Sequence, residues 1–381
     1  MGRQVEPLRV LVAGGGVAAA ELLLALRSLA EDRVELELIA PSARLPFRPA
    51  ATATALDGGG VPEYDLQAIA SDTGARFRRD TVEAVAPDAH RVRLGSGTSS
   101  SYDALVLAVG ARARVGVPGA VTFRDQRDSR RLAALIDGLE TAAAARVVFA
   151  APTGVSWTLP LYELALLASS ELARRDLLTE IVVITPEDAP LEVFGRSVSR
   201  HVASLLSDRA VRRLHGSAQH VARGRVVLAT GEALGAEAVV AVPRLVGRRV
   251  AGVPADWNGF VRTDRHGRVA ELEDVFAAGD MTRFPVKQGG LATQQADVIA
   301  AVLAARAGAR VDIPTGRSVL RARLLGAESP CYLQAELDAA GGPLPSGNAP
   351  AVSDEADWWP ASKLFGRHLT PWMASRGLLA A

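Results

Sequence analysis

A glycine-rich segment near the start of the chain has the spacing needed to bind a pyrophosphate. Gly14, Gly16 and Ala19 follow an apolar run over residues 8–13 and fit the pattern G-x-G-x-x-G/A. The first glycine permits a tight turn, and the second lets the backbone approach a pyrophosphate. The small third residue lets a helix pack close to the strand. Residues 18–30 are rich in Ala and Leu and predict that helix.

The start of this helix supplies the second half of the predicted site. Its first backbone N–H groups have no partner within the helix, and they present the positive end of the helix dipole to an anion. We therefore expect the backbone of Val17, Ala18 and Ala19 to contribute to the pyrophosphate contact. The alternative is a tight turn in an ordinary α/β protein that binds no nucleotide.

The second strand, predicted over residues 34–39, lacks a feature that usually accompanies this pattern. An acidic residue at the end of that strand commonly bonds a ribose hydroxyl. Here the strand is followed by Ala40, Pro41 and Ser42, none of which is acidic. We expect Ser42 or backbone groups to make the ribose contact instead.

Two later segments identify the nucleotide by resemblance. Residues 102–111 read YDALVLAVGA, and residues 274–280 read DVFAAGD. Together with the N-terminal turn, and in this order, they resemble motifs of the FAD-dependent pyridine nucleotide–disulfide oxidoreductases. The resemblance implies FAD as cofactor, with Asp280 bonding the flavin ribityl chain. It also implies that the cofactor lies against the turns that contain Ala108, Gly110 and Gly279.

Residues 285–297, PVKQGGLATQQAD, narrow the resemblance. They are similar to the flavin-facing helix start of type II NADH dehydrogenases and of sulfide:quinone oxidoreductase-like proteins. A helix start with an adjacent cation suits the negative charge of a reduced flavin at its N1–O2 edge. We expect Lys287, Gly289 and Gly290 at that edge, with Lys287 as the candidate catalytic residue.

The same resemblance gives expectations for three other positions. Gln294 and Gln295 match paired glutamines near the flavin and the quinone in the NADH dehydrogenases. Arg48, followed by Pro49, falls where relatives pass a loop beside the isoalloxazine. The alternative for all of them is a solvated loop and helix surface.

A second strand–turn–helix begins at residue 146, but its glycines are missing. In the family the turn typically reads G-x-G-P-T-G, which places Phe149 and Ala151 at the first two glycine positions. Both side chains would crowd a pyrophosphate. Pro160 would disturb the following helix, expected over residues 156–174, unless that helix starts near it. The acidic residue that would bond the ribose is expected at the end of the next strand, but the nearest acid is Glu187, two residues beyond Thr185. NAD(P)H binding in the usual mode is therefore doubtful.

The chain has one cysteine, Cys331, so it has no pair for an intramolecular disulfide. Residues 157–165, WTLPLYELA, resemble sulfide:quinone oxidoreductases and flavocytochrome sulfide dehydrogenases, which work through two redox cysteines. Neither a sulfide mechanism nor a disulfide-reductase mechanism fits a single thiol. We expect Cys331 to be a small buried apolar residue rather than a nucleophile.

Composition limits the remaining functions. A length of 381 residues predicts two or three domains at about 150 residues each. A formal net charge of +1 argues against nucleic acid as a partner. We expect no metal site, because the six histidines form no ligand cluster in the sequence. No apolar run reaches the roughly 18 residues of a membrane span, and no signal peptide is indicated; we expect a cytoplasmic protein.

The motifs predict an α/β fold with two Rossmann-like domains. Residues 1–112 and 245–315 would form a split FAD domain, and residues 113–244 an inserted, degenerate NAD(P)-like domain. Residues 316–381 would form a C-terminal interface or capping segment. Residues 357–373, DWWPASKLFGRHLTPWM, either pack on the flavin domain or a second copy of the chain, or attach the protein to the inner face of a membrane.

These expectations define an FAD-dependent oxidoreductase that transfers electrons through flavin N5 without a redox disulfide. Its partners would be a small-molecule electron donor and a small acceptor, with a quinone preferred by resemblance. One alternative is an NADH:quinone oxidoreductase of the type II NADH dehydrogenase kind. Another is a flavin-binding redox sensor or structural protein with little turnover.

Overall fold

The computed structural model describes residues 6–56, 61–125, 128–141, 145–314, 317–345 and 351–379. Its strands are β1 Leu8–Ala13, β2 Val34–Ala40, β3 Arg44–Pro46, β4 Glu63–Asp65, β5 Arg76–Arg79, β6 Val82–Ala86, β7 Arg91–Leu94, β8 Ser99–Ser101, β9 Ala104–Leu107, β10 Ala111–Arg114, β11 Val121–Thr122, β12 Ala145–Ala150, β13 Thr179–Thr185, β14 Val211–His215, β15 Ala218–Ala222, β16 Arg225–Leu228, β17 Ala233–Gly235, β18 Ala238–Ala241, β19 Arg244–Gly247, β20 Val275–Ala277, β21 Ser318–Leu324, β22 Cys331–Leu337 and β23 Val352–Ser353. Its helices are α1 Val17–Ala30, α2 Leu66–Asp72, α3 Ser129–Asp137, α4 Leu159–Arg174, α5 Arg196–Asp208, α6 Gly289–Arg306 and α7 Leu369–Ala374.

Five parallel strands form the first sheet in the order β20-β9-β1-β2-β5. Strand β1 lies in the middle, and its register with β2 runs from Leu8 opposite Val34 to Ala13 opposite Ile39. The central strands are mostly apolar and buried, as is usual for a parallel sheet covered on both faces. Since all five strands run the same way, the turns after β1, β9 and β20 meet at one edge. That edge is where open α/β sheets bind ligands.

The second sheet repeats this arrangement with strands in the order β11-β18-β12-β13-β14, all parallel. Strand β12 takes the central place that β1 has in the first sheet. The predicted fold class, α/β with two Rossmann-like sheets, is confirmed. Within the described ranges, the other strands form five small antiparallel sheets. The expected boundary at residues 315–316 lies outside the described residues.

Helices α1 and α6 pack against each other over one face of the first sheet. The shared core includes Val10 and Val12 of β1 together with Leu22 and Leu26 of α1 and Ile299 of α6. Each of these leucines is at most 1% exposed, and full burial of such a side chain contributes about 1.5–3 kcal/mol. This packing holds the N-termini of both helices at the ligand-binding edge.

Helix α4 begins at Leu159, three residues after the predicted start at residue 156. Pro160 therefore lies in the first helical turn, where its missing N–H would have had no partner in the helix. The disturbance that we considered for Pro160 does not occur.

The aromatic C-terminal segment packs on the chain itself. Trp358 is buried, and its indole Nε1–H donates to the carbonyl of Ser362 (3.1 Å). The Nε1–H of Trp372 donates to a carboxylate oxygen of Asp72 at the end of α2 (2.8 Å), whereas Trp359 is 68% exposed. Among the described helices, none is long and apolar enough to cross a membrane.

Two carboxyl groups meet between α1 and α6. Glu21 is fully buried, and its oxygens accept the backbone N–H groups of His368 and Leu369, both at 2.7 Å. Burial and the nearby carboxylate of Asp297 raise the pKa of Glu21, and burial raises the pKa of Asp297 to about 6. The Oδ1 atom of Asp297 has no hydrogen-bond partner within the described structure, which is consistent with a proton shared by the two carboxyls.

His368 also brings a ligand atom within 4.8 Å of this pair, so three potential metal ligands lie together. The sequence did not indicate this group, because its members come from three separated segments. We assign no metal to it, since the two backbone N–H groups already occupy both oxygens of Glu21.

The shared proton makes stability depend on pH. A carboxyl whose folded pKa is raised contributes most stability below its unfolded pKa and loses that contribution as the pH rises through the folded value. We therefore expect the free energy of unfolding to fall by about 1–3 kcal/mol between pH 5 and pH 8, because the pKa of Asp297 is raised to about 6. Asp297→Asn should reduce this dependence in urea unfolding, whereas Asp88→Asn, at an exposed position, should retain it. An unchanged pH profile in the Asp297 variant would contradict the shared proton.

Candidate functional site

The turn after β1 requires a glycine. Gly14 has φ +131°, and a Cβ there would lie 2.1 Å from the carbonyl oxygen of Ala108. The Gly14 N–H donates to the carbonyl of Ile39 (2.8 Å), and the Ala108 N–H donates to that of Ala13 (2.7 Å). The ends of β1, β2 and β9 are therefore joined here by backbone contacts that leave no room for a side chain.

Gly16 has a different role from Gly14. It is the N-cap of α1, and it caps the helix without a side chain. A Cβ on Gly16 would meet no atom within 4 Å, so the space in front of the helix start is open. Val17 is half-buried at this opening, while the side chains of Ala18 and Ala19 face the core. This geometry leaves the first N–H groups of α1 available to an anion.

The Gly-Asp motif lies directly beside that opening. Gly279 has φ +76°, and a Cβ there would lie 3.6 Å from the Cβ of Ala18. Its N–H donates to Oε1 of Gln295 (2.7 Å), which fixes the turn to α6. Asp280 is half-buried, and burial raises the pKa of its carboxyl while Lys287 and Arg48 lower it. No hydrogen bond or ion pair engages this carboxylate in the part of the chain that the structure describes.

Lys287 lies close to Asp280. Its Nζ atom donates to the carbonyl of Thr282 and lies 4.0 Å from the ring centroid of Phe260. Burial lowers the pKa of Lys287 to about 8, and the carboxylates of Asp280 and Asp256 act in the opposite direction. A half-buried cation whose pKa is near 8 can serve as a tunable positive charge at physiological pH.

The start of α6 is partly covered by the C-terminal segment. A Cβ on Gly289 would lie 2.5 Å from Cδ1 of Leu364 and 3.6 Å from Cγ of Pro49. A Cβ on Gly290 would lie 3.5 Å from the carbonyl oxygen of Phe365. The close contact at Gly289 leaves no room for a side chain unless Leu364 moves, whereas the distance at Gly290 is an ordinary contact. Their contact with a flavin stays a prediction.

Arg48 and Gly110 complete the set of predicted positions around Asp280. Arg48 is exposed in the single helical turn Arg48–Ala50, and its charge acts on both Asp280 and Arg248. Gly110 has φ +68°, and a Cβ there would meet nothing within 4 Å. The structure thus brings together the segments that carry Gly14, Gly16, Arg48, Ala108, Gly110, Gly279, Asp280 and Lys287.

Two of the predicted polar side chains make hydrogen bonds within the chain. The Ser42 Oγ accepts the N–H of Arg44 (2.9 Å), so its proposed ribose contact would have to share this oxygen. Gln294 donates to the carbonyls of Gly290 and Val319, at 2.9 and 2.8 Å, and accepts the N–H of Val319. The side chain of Gln294 therefore joins α6 to β21 and is not free to contact a quinone.

The second turn begins two residues later than we expected. Ala151 donates its N–H to the carbonyl of Ile184 (2.8 Å), as Gly14 does to Ile39 in the first sheet. Phe149 lies inside β12, fully buried, opposite Val183 on one neighbouring strand. Placing Phe149 at the tight turn was wrong, because β12 continues to Ala150. Ala151 stands where the first glycine of the other turn stands.

Glu187 is not free to bond a ribose. Its Oε1 accepts the hydroxyl of Thr158 and its Oε2 that of Tyr162, each at 2.7 Å. Burial raises its pKa, and the side chain is 7% exposed. The position that would recognise a ribose in the second cleft is therefore occupied by the chain's own hydroxyl groups.

Cys331 is buried in β22, and burial raises its pKa to about 11. Its Sγ lies 3.6 Å from Nε2 of His201. A buried thiol with this pKa carries little thiolate at neutral pH and is a poor nucleophile.

A buried ion pair that no sequence pattern indicated brings distant segments of the chain together. The Nζ of Lys363 lies 2.6 Å from Oε2 of Glu163, and their side chains are 12% and 1% exposed. The hydroxyl of Thr52 donates to the same carboxylate (2.6 Å) and accepts from Lys363 (2.5 Å). The N–H of Leu325 donates to the other carboxylate oxygen (3.1 Å). A charged residue within the apolar run of α4 was the only local signal.

Comparison with known proteins agrees with this geometry. Residues 8–308 match the family model described as pyridine nucleotide-disulphide oxidoreductase. The chain belongs to this family, whose members are flavoproteins with two dinucleotide-binding folds. It is an oxidoreductase that depends on FAD.

The relatives differ in their redox partners. The ferredoxin reductase component of a chlorobenzene dioxygenase from Cupriavidus sp. (strain PS12) is 27% identical, over 80% of this chain and 76% of that protein. An NADH dehydrogenase-like protein of Mycobacterium tuberculosis is 32% identical, over 52% of this chain and 53% of that protein. The chain thus spans about half the length of this second relative.

A solved structure shows the same fold. The sulfide:quinone oxidoreductase of Aquifex aeolicus superposes with a TM-score of 0.77, at 22% sequence identity, over 86% of this chain and 84% of that one. At this identity the likeness establishes the fold alone.

The two glycines of the first turn offer a matched pair of variants. Gly14→Ala should destabilise the protein by at least about 1–3 kcal/mol, because it combines a strained backbone with a clash against Ala108. Gly16→Ala should unfold like the wild type but bind FAD more weakly, because its Cβ projects into the open space before α1. Thermal unfolding and FAD titration measure the two effects. Equal behaviour of the two variants would contradict these separate roles.

The buried ion pair should be costly to break. Lys363→Met leaves Glu163 charged and buried, which should reduce stability by about 3–5 kcal/mol. The double variant Glu163→Gln/Lys363→Met should recover much of this loss. Arg9→Met, which breaks an exposed pair with Asp103, should cost about 0–1 kcal/mol. Urea unfolding provides the comparison, and equal losses for the Lys363 and Arg9 variants would contradict the assigned burial.

Proposed function

We propose that the protein passes electrons from a small-molecule donor through FAD to a quinone or another small acceptor, without a redox disulfide. The observation that carries the proposal is the meeting of Asp280, Lys287 and Arg48 beside the open start of α1. The lone buried Cys331 supports the absence of a disulfide step. We place this activity in the cytoplasm, with access to the inner face of the membrane where quinones reside.

The proposal gives each residue a physical role. Gly14 and Gly16 would let the backbone and the N–H groups of α1 hold the pyrophosphate, and Asp280 would accept hydrogen bonds from the ribityl hydroxyls. Lys287 would hold a positive charge near the N1–O2 edge. Bound FAD would supply hydride and electron transfer through its N5 atom. Residues 1–112 and 245–315 would form this unit, and residues 113–244 the inserted one.

The donor distinguishes this proposal from its alternative, an NADH:quinone oxidoreductase. Against NAD(P)H stand Ala151 at the turn and Glu187, whose carboxylate is already bonded. One observation favours NAD(P)H binding. Gly154 has φ +82° and open space around it, so the loop after Ala151 could still admit a ligand. A flavin-binding sensor with little turnover is the third candidate.

Two half-reactions test these candidates. The FAD-loaded protein is mixed anaerobically with NADH, NADPH or sulfide while the visible flavin absorbance is followed. In a second experiment the photoreduced protein is mixed with a short-chain ubiquinone. The proposal expects rapid reoxidation by the quinone, at the same rate in wild type and Cys331→Ala. Fast bleaching by NADH supports the alternative. Sulfide bleaching that is lost in Cys331→Ala contradicts the proposal, and slow reoxidation supports the sensor.

Lys287 should influence the flavin through its charge. Below pH 8 the protonated side chain should stabilise the anionic reduced flavin. Lys287→Met should therefore lower the reduction potential by about 30 mV, equivalent to about 1.4 kcal/mol for a two-electron couple. The difference should shrink as the pH rises above 8. Dye-coupled potentiometry measures it, and Arg283→Met, at an exposed position of the same segment, is the control. A potential unchanged by Lys287→Met would exclude this role.

A further inference from the structure

An arginine-rich depression lies on the ribbon formed by β10 and β19. The ribbon is antiparallel, with Arg112 opposite Val246 and Arg114 directly opposite Arg244. Side chains two residues apart on a strand share a face, so these three arginines point to the same side. Together with the loop of residues 256–259 they border a depression of about 350 Å³. We call this the arginine face.

The arginine face is not neutralised by the protein. Arg112, Arg114 and Arg244 are exposed, and within the described ranges none of them has an acidic partner. Like charges directly opposite each other across a strand pair are destabilising. Arg248 adds a further positive charge nearby. Burial and the charges of Arg112 and Arg48 lower the pKa of Arg248. The chain keeps this unfavourable arrangement although its overall formal charge is only +1.

The depression is a built surface rather than a chance grouping of flexible side chains. The Gly247 N–H donates to the carbonyl of Asn258 (2.9 Å), and a Cβ on Gly247 would lie 1.9 Å from the carbonyl oxygen of Gly259. Arg249 donates to the carbonyls of Asp256 and Trp257, at 2.6 and 3.0 Å. These contacts fix the loop against the ribbon and present Trp257 with 82% exposure.

The arginine face adjoins the candidate flavin site. The same loop leads to Phe260, whose ring centroid lies 4.0 Å from Nζ of Lys287. On the other side, Arg248 lies close enough to Arg48 for their charges to interact, and Arg48 acts on Asp280 in the same way. A molecule bound at the arginine face would therefore be held beside the predicted redox centre.

We propose that the arginine face docks an acidic protein, whose surface carboxylates pair with Arg112, Arg114 and Arg244. Guanidinium groups pair with carboxylates in a bidentate geometry, and Arg and Trp are the side chains enriched in interface hot spots. The depression admits a protruding acidic loop, whereas a flat bilayer surface would leave it unfilled. The exposed side chain of Trp257 provides apolar contact in its lining. This inference goes beyond the proposed function, because it concerns protein recognition and holds for any electron donor.

The test measures binding, independently of turnover. Isothermal titration of the FAD-loaded protein at low ionic strength uses an acidic plant-type [2Fe–2S] ferredoxin as probe and basic cytochrome c as its counterpart. We expect the ferredoxin to bind and the cytochrome not to bind, with affinity falling as salt is raised. Arg112→Gln/Arg114→Gln should weaken binding by about tenfold or more, and Trp257→Ala should weaken it further.

A matched control separates the arginine face from general charge. Arg130→Gln/Arg131→Gln removes the same charge from exposed positions of α3 and should bind the ferredoxin like the wild type. Equal weakening in the two double variants would overturn the proposal. So would the absence of ferredoxin binding at low salt, or binding to vesicles of phosphatidylglycerol and phosphatidylcholine without binding to the ferredoxin. Circular dichroism and flavin content confirm that each variant is folded, so that a loss of binding reports on the surface.

Discussion

The crossing of two backbone segments at Gly14 constrains the first half of the molecule. Strands β1 and β9 approach so closely there that the carbonyl of Ala108 occupies the space of a side chain. Hydrogen bonds from Gly14 and Ala108 join the ends of three strands at this point. Because these ends are fixed together, the start of α1 and the turn at Gly279 lie side by side. The packing of α1 against α6 then brings Lys287 to the same edge, so the candidate site follows from one steric constraint and one helix pair.

The two halves of the chain share a topology but differ in chemistry. In both, the residue after the central strand donates its N–H to the neighbouring strand. In the first half that residue is Gly14, whereas in the second it is Ala151, which follows a central strand of the same length. The carboxylate of Glu187 is bonded to Thr158 and Tyr162 rather than presented to a cleft. The second half therefore keeps the architecture of a nucleotide-binding unit while its polar groups are satisfied internally.

Local signals in the sequence were sufficient for the fold class and for the first turn. The spacing of Gly14 and Gly16, followed by an Ala- and Leu-rich run, specifies a strand, a turn and a helix from adjacent residues. The position of Phe149 could not be predicted, because aligning a motif does not show where a strand ends. Here β12 continues to Ala150, past the residue that was aligned with the first glycine. The contacts of Glu163 with Lys363, and of Glu21 with His368, depend on tertiary packing over about 200 and 350 residues of chain. No local pattern encodes such separations, and the link between Gln294 and Val319, 25 residues apart in sequence, could not be predicted for the same reason.

The link between Thr52, Glu163 and Lys363 has a consequence for the order of folding. Each of these residues lies on a segment that is distant in sequence, and each partner is buried only when all three segments are docked. Contacts of such long sequence separation carry a large loop-closure entropy and form late. Before docking, Glu163 and Lys363 remain hydrated, so their interaction cannot guide an early intermediate. The pair instead joins units that have already folded, and its opening should separate them while each sheet remains intact.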